Sequence, residues 1–402
     1  MNEFISREKR VCAANYDPVP IILSEAQGVW VKDTAGKRYL DMMSAYSAVS
    51  LGHGHPRILK TMMEQASKLA VISRAYYTPY LGAFIEKLVG LTGLDVALPM
   101  NTGAEAVETA IKASRRWGYR NRNIPANKAE IIVAAENFHG RTTTIIGFSS
   151  EEAYRDGFGP FDGGFRTVPF GNAEALEAAI TPHTCAVLVE PIQGEAGIVV
   201  PPEGYLKQIR EICNRHGILM ILDEVQSGLG RTGRWFAFQH EGIKPDGLIL
   251  GKALGGGVYP VSAFVATRDV MQVFNPGSHG STFGGNPLAA AIGLESLRTI
   301  EDERLVERSA ELGGYLADRL KSIRSNMIKD VRGKGLWIGV EVDPSGVSAR
   351  QLCLDLAEEG ILSKDTHETV LRFAPPLTIS RDELDWGLER VERVFLRRTQ
   401  AV

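Results

Sequence analysis

The stretch EGYLKQIREICNRHGILMILDEVQSG, residues 203–228, carries the architecture in two halves. In the first, Leu206, Ile209, Ile212 and Cys213 fall on one helical face, and Gly217 stops the turn. In the second, residues 218–222 form a short apolar run that reads as a strand. Runs of the same kind lie at 131–134, 186–189, 248–250 and 264–266. Strand, helix, strand at this spacing predicts βαβ units and an α/β fold with a mainly parallel sheet.

Working outward, a long helical stretch runs from about residue 287 past 320, with strands at 337–342 and 370–373 beyond it. That is a second, smaller α+β region. Before residue 45, GVWVKDTAGKRYLDM (28–42) alternates like a hairpin turning at Ala35-Gly36. The expected division is an N-terminal segment 1–45 packed with the small domain, a large domain 46–290 and a small domain 291–402.

Composition excludes several classes. The 402 residues carry 45 Lys+Arg and 48 Asp+Glu, a net charge of −3, so a large basic face for nucleic acid or anionic lipid is not expected. The 44% hydrophobic and 23% charged residues are globular values. Glycine, 42 residues, exceeds the usual share of about 7% and points to many tight turns and close backbone approaches. Cysteines at 12, 185, 213 and 353 lack metal-ligand spacing and read as reduced thiols. The start MNEFISREKR has no apolar signal core, and no run approaches the roughly 18 apolar residues of a membrane span, so a cytoplasmic protein is expected.

Asp223 falls just past an apolar strand, at the sheet edge where ligands bind in open α/β folds. A lone Asp there is more often a helix cap or an ion-pair partner. Glu190 ends the preceding strand in the same way. GLGRTG (228–233) matches G-x-G-x-x-G, but the glycines come five residues after the strand and no clear helix follows, so it reads as a tight loop. Lys252, in LILGKALGGGVYP, follows a strand and precedes three glycines; a P-loop fails because Gly247 to Gly251 is one residue short and Ala253 replaces Ser/Thr. Placed among apolar residues, this lysine reads as a buried neutral amine fit for Schiff-base chemistry, where a lone Lys is usually a solvated one. In MNTGAEAVETAIKASRRWG, Thr102 and Glu105 form a capping box, and Gly103 and Ala104 leave N–H groups at a helix N-terminus, a phosphate site or simply a capped end. SHGSTFGGNP (278–287) is a second polar loop, with hydroxyls at Ser281 and Thr282. His53 and His55 in GHGHP read as turn residues, and no metal site is expected.

In this order NTGAEA, FHGRT, EPIQGEAG, DEVQSGLGRTGRW, LGKALGGG and GSTFGGNP resemble the class III (ω-) aminotransferases, which use pyridoxal 5′-phosphate. SAYSAVSLGHGHP, SRAYYTPYLG, GGVYPVSA and LRFAPPL are similar to the branch acting on L-ornithine. The likeness departs at His139, where some ornithine enzymes have Trp, and at Ser227, where Thr is usual. The resemblance implies a fold type I homodimer with a seven-stranded, mainly parallel sheet and active sites at the subunit interface. It implies that Lys252 holds the cofactor covalently and moves a proton, and that Asp223 faces the pyridine nitrogen. Gln226 would bond the phenolic oxygen, and Phe138 would stack on the ring. Thr102, Gly103, Ala104 and Ser281 would serve the phosphate, with Thr282 reaching it from the neighbouring subunit. Arg141, Glu195, Arg372, Tyr16 and Tyr46 would form the substrate pocket. The implied reaction moves the δ-amino group of L-ornithine to 2-oxoglutarate, yielding L-glutamate; acetylornithine or 4-aminobutyrate are the alternative donors.

Overall fold

The computed structural model describes residues 3–399. Near the N-terminus β1 (Leu23–Gln27), β2 (Trp30–Asp33) and β3 (Arg38–Asp41) pair antiparallel. The expected hairpin turn is there: Asp33 Oδ1 accepts from the N–H groups of Ala35 and Lys37, both at 2.9 Å, and Gly36 takes φ 89°.

The central sheet contains β4 (Val96–Met100), β5 (Glu130–Ala134), β6 (Phe165–Val168), β7 (Thr184–Val189), β8 (Leu219–Asp223), β9 (Gly247–Leu250) and β10 (Ser262–Ala266), in the order β4-β10-β9-β8-β7-β5-β6. The five strands from β9 to β6 are parallel, whereas β10 runs antiparallel to both β9 and β4. Alternate side chains enter opposite layers: Met220 and Leu222 join one core, Leu219 and Ile221 the other. The helix Tyr205–His216 covers the first with Leu206, Ile209, Ile212 and Cys213, and Gly217 closes it at φ 59°. The helix Gly103–Asn121 covers the second with Ala106, Val107, Ala110 and Ile111.

The expected long helix is two, Pro287–Asp302 and Leu305–Lys321. Arg304, at φ 52°, breaks the helical path between them. Beyond lie β11 (Ile328–Gly333), β12 (Ile338–Val342), β13 (Ile361–Leu362), β14 (Lys364–Thr366) and β15 (Val370–Phe373). An antiparallel sheet runs β11-β12-β15-β14. β13 instead pairs parallel with β3, Ile361 opposite Leu40. Of the cysteines, 185, 213 and 353 are buried and Cys12 is exposed, all free. Among the described residues no cluster could hold a metal ion, and no helix is long and apolar enough to cross a membrane.

Candidate active site

The C-terminal ends of the parallel strands deliver the titratable groups. Asp223 closes β8, Glu190 follows β7, Phe138 and His139 lie in the turn after β5, and Lys252 follows β9. Asp223 is buried; its Oδ2 accepts from His139 Nδ1 at 2.7 Å and its Oδ1 from the Val225 N–H at 3.0 Å. Burial works against a charged His139, but the hydrogen bond and charge of Asp223, with Glu190 beyond, outweigh it and hold the imidazole pKa above its ordinary value. Glu190 accepts from the N–H groups of Phe138 (3.0 Å) and Gly194 (3.4 Å), and burial pushes its pKa up to about 7.

Lys252 has φ 44°, in a short 3-10 turn that ends in glycines with positive φ. Gly256 is required there: a Cβ would meet Ile58 Cγ2 and Ser296 Oγ at 2.8 Å. Burial lowers the Lys252 pKa, against the pull of Glu195, Asp223 and Glu190. The amine is therefore easier to deprotonate than in water.

Facing this lysine is the N-terminus of Gly103–Asn121. The capping box is formed: Thr102 Oγ1 accepts from Glu105 N–H at 3.2 Å, and Glu105 Oε2 from Thr102 N–H at 2.9 Å. Gly103 and Ala104 follow, with N–H groups that have no acceptor inside the helix. A cavity of about 220 Å³ is lined by Gly103, Ala104, Phe138, Asp223, Gln226 and Lys252, together with His139, Glu190 and Ser227 among others. Six of the nine cofactor residues named from the sequence thus converge. Thr102, Ser281 and Thr282 do not line it. Ser281 Oγ is tied to the helix entry by Asn101 Nδ2 at 2.8 Å, and Thr282 is exposed. A larger groove of about 940 Å³ lies between Thr232–Gln239 and the helix Leu305–Lys321, but its charged side chains are all exposed.

Beside the cavity, Arg372 Nη1 donates to Glu195 Oε1 at 2.8 Å and to the Gly194 carbonyl at 3.2 Å. Burial disfavours the Glu195 charge, but Arg372, with Lys252 and Lys364, outweighs it and holds the carboxyl pKa below normal. The Arg372 guanidinium lies 5.3 Å from the centre of the Tyr46 ring. Tyr46 belongs to a turn, Ser44–Ser47, in which four non-glycine residues take φ of 41°, 46°, 58° and 72°. Left-handed backbone costs on the order of 1–2 kcal/mol per residue, so the surroundings must impose it. Burial raises the Tyr46 pKa, against Arg372, with Tyr16 near enough to add to the effect. Tyr16 itself is exposed. Arg141 is exposed too and stacks on Tyr154, 4.2 Å from its centre, with Phe138 at 5.9 Å; it makes no ion pair among the described residues.

Sequence reasoning missed the His139 contact to Asp223, the platform Tyr154 gives Arg141, and buried Arg231. His139 adjoins Phe138 in the same turn after β5, a signal that could have found it.

The family model described as Aminotransferase class-III matches residues 11–395. The chain is 57% identical over 391 residues to the ornithine aminotransferase of Halalkalibacterium halodurans, covering 97% of this chain and 98% of that protein. The crystal structure of the ornithine aminotransferase from Toxoplasma gondii superposes with a TM-score of 0.98 at 40% identity, covering 99% and 96% of the two chains. The acetylornithine aminotransferase of Elizabethkingia anophelis is similar at 0.89 and 44%, covering 98% of each. With the buried lysine, the strand-end aspartate and the capped helix end already in one cavity, the match over nearly the whole length establishes that the chain belongs to the class-III aminotransferase family.

Proposed function

We propose that this chain is an ornithine aminotransferase. It transfers the δ-amino group of L-ornithine to 2-oxoglutarate, giving L-glutamate and L-glutamate 5-semialdehyde, which cyclises to pyrroline-5-carboxylate. The observation that carries this reading is the pairing of two sites. One is a cavity with a lysine of lowered pKa and a His-bonded aspartate; the other, beside it, is an arginine held by a glutamate. The ornithine aminotransferases among the relatives support the choice of donor.

The cavity suits pyridoxal 5′-phosphate. The helix N-terminus offers N–H donors for a phosphate, Asp223 keeps acceptor capacity for a protonated ring nitrogen, and Lys252 is an amine that burial inclines to neutrality. When bound, that cofactor supplies an electron sink for the carbon bearing the amino group. Lys252 Nζ would accept a proton from that carbon as a general base, hold it as its ammonium, and give the same proton back as a general acid. Asp223, oriented by His139, stabilises positive charge opposite its carboxylate. Gln226 and Phe138, which line the cavity, would hold the ring in place. Arg141 offers a planar fork to a substrate carboxylate, and Tyr16 and Tyr46 shape the donor pocket.

In this reading residues 1–45, 46–290 and 291–402 are the N-terminal segment, the cofactor domain and the small domain of a cytoplasmic homodimer. Exposed Tyr76, Tyr77 and Phe283 give such a dimer apolar area to bury, and Thr282, the chain neighbour of Phe283, is exposed too. The test is a donor comparison with 2-oxoglutarate as acceptor and trapping of the cyclised product. L-Ornithine should outpace N-acetylornithine and 4-aminobutyrate. Faster turnover of either rival would overturn the assignment.

A further inference from the structure

We propose that Arg231 is a positioning residue for the substrate end of the site, holding the segment that carries Tyr46 against the segment that carries Arg372. The proposal rests on the reading that those two residues meet substrate.

Arg231 is fully buried, and among the described residues it makes no ion pair. Its Nη1 donates to the carbonyls of Leu336 (2.8 Å) and Pro375 (2.6 Å). Its Nη2 donates to Ser50 Oγ (2.9 Å) and Ser44 Oγ (3.2 Å). Both hydroxyls pass their own protons onward. Ser44 Oγ donates to the Ala374 carbonyl at 2.6 Å, and Ser50 Oγ to the Ser47 carbonyl at 2.9 Å. One guanidinium therefore orients bonds at both ends of the left-handed turn holding Tyr46. It also grips the chain three residues past Arg372. The same two segments are laced directly, Ala374 N–H to Met42 O at 2.6 Å and Leu377 N–H to Ser50 O at 2.7 Å.

The turn is held from its other side by a carboxylate. Asp41 Oδ1 accepts from the N–H groups of Met43 and Ser44, both at 2.9 Å, and its Oδ2 bonds His53 Nε2 at 2.8 Å. Asp41 favours the Arg231 charge without touching it, while burial pushes the guanidinium pKa down to about 9. An arginine buried without an ion-pair partner is costly to keep. Its planar fork reaches four acceptors on three chain segments at once, which the point charge of a lysine cannot do. The base of Arg231 is fixed as well, since its carbonyl accepts from Ser309 Oγ at 2.9 Å. Arg231 does not line the cavity of Lys252 and Asp223, so its effect should fall on substrate rather than cofactor.

The test uses the holoenzyme with Arg231→Lys and the milder Ser44→Ala and Ser50→Ala. Cofactor affinity and visible absorption are measured beside KM and kcat for the ornithine and 2-oxoglutarate half-reactions. Arg231→Lys should raise KM for 2-oxoglutarate about 10-fold, the scale of a sub-ångström misplacement, with cofactor affinity and spectrum unchanged. Each serine variant should raise it about threefold, as loss of one bond in a shared network implies. In an Arg372→Ala background, Arg231→Lys should add less than about twofold, because residues acting through one another are not additive. Unchanged KM with falling kcat and cofactor content would mean a merely structural role and overturn the proposal, as would full additivity with Arg372→Ala. If Arg231→Lys does not fold, unchanged KM in both serine variants overturns it. The 2-oxoglutarate half-reaction reads Arg231 even if ornithine proves not to be the donor, so failure of either reading is visible separately.

Discussion

If they meet substrate as proposed, Glu195 and Arg372, 2.8 Å apart, address a problem of two substrates in one site. Ornithine must react at its terminal amine and glutamate at its α-amine, so an arginine free to hold an α-carboxylate near the reacting carbon would turn ornithine the wrong way round. In the proposed reading, pairing with Glu195 would neutralise Arg372 while ornithine binds with its carboxylate on Arg141. With 2-oxoglutarate, Glu195 would swing aside and Arg372 would take the α-carboxylate. Glu195→Ala should therefore slow the ornithine half-reaction while the glutamate half-reaction is kept or enhanced. Equal losses in single-turnover measurements of both would mean a static ion pair. His139 gives a prediction in pH. Its raised pKa means that the folded chain binds this proton more tightly than the unfolded chain. The resulting stability is fully present below about pH 6.5 and is lost as pH rises through the raised value. The gap in thermal midpoint between cofactor-free wild type and His139→Gln should be widest below about pH 6.5 and shrink as pH rises through the raised value. A constant gap would show that His139 gains no proton preference on folding. Lys252 and Asp223 were legible because each follows an apolar strand. Arg231 was not, because a charge inside a glycine-rich loop reads as solvated until the fold wraps three segments around it.

At the scale of elements, the helix Gly103–Asn121 brings a capping box to the edge of the cavity at its first turn. Thr102→Ala removes the side-chain half of its capping box and should cost about 1 kcal/mol of stability. It should also weaken cofactor binding severalfold, because the loosened turn presents the Gly103 and Ala104 N–H groups less rigidly. Thermal denaturation and cofactor titration check the two effects separately. This helix start was readable from T-x-x-E alone. The end of Pro287–Asp302 was not, since Asp302, Glu303 and Arg304 contain no Gly or Pro and the apolar pattern resumes at Leu305. Nor does an apolar run carry direction: residues 264–266 read as a strand, but only Phe264 opposite Ile249 and Leu98 reveals β10 running against both neighbours.

At the scale of the whole molecule, the placement of Thr282 predicts a complementation. If it completes the partner's phosphate site, co-expressed Lys252→Ala and Thr282→Ala chains should form mixed dimers with one intact site. Such dimers should recover activity at limiting cofactor that neither variant shows alone. No recovery would put Thr282 in its own chain's site or in none. The pairing of β3 with β13 has a consequence during synthesis. Leu40 leaves the ribosome long before Ile361, its partner, exists. At roughly 5–20 residues per second, the wait is on the order of 15–60 s. Throughout it β3 keeps an open hydrogen-bonding edge, a site for misassociation. Tyr46 likewise lacks Arg372, whose guanidinium lies 5.3 Å from its ring in the finished fold. A message broken before codon 361 yields a product that bears an unpaired strand, a mark by which quality control can recognise it.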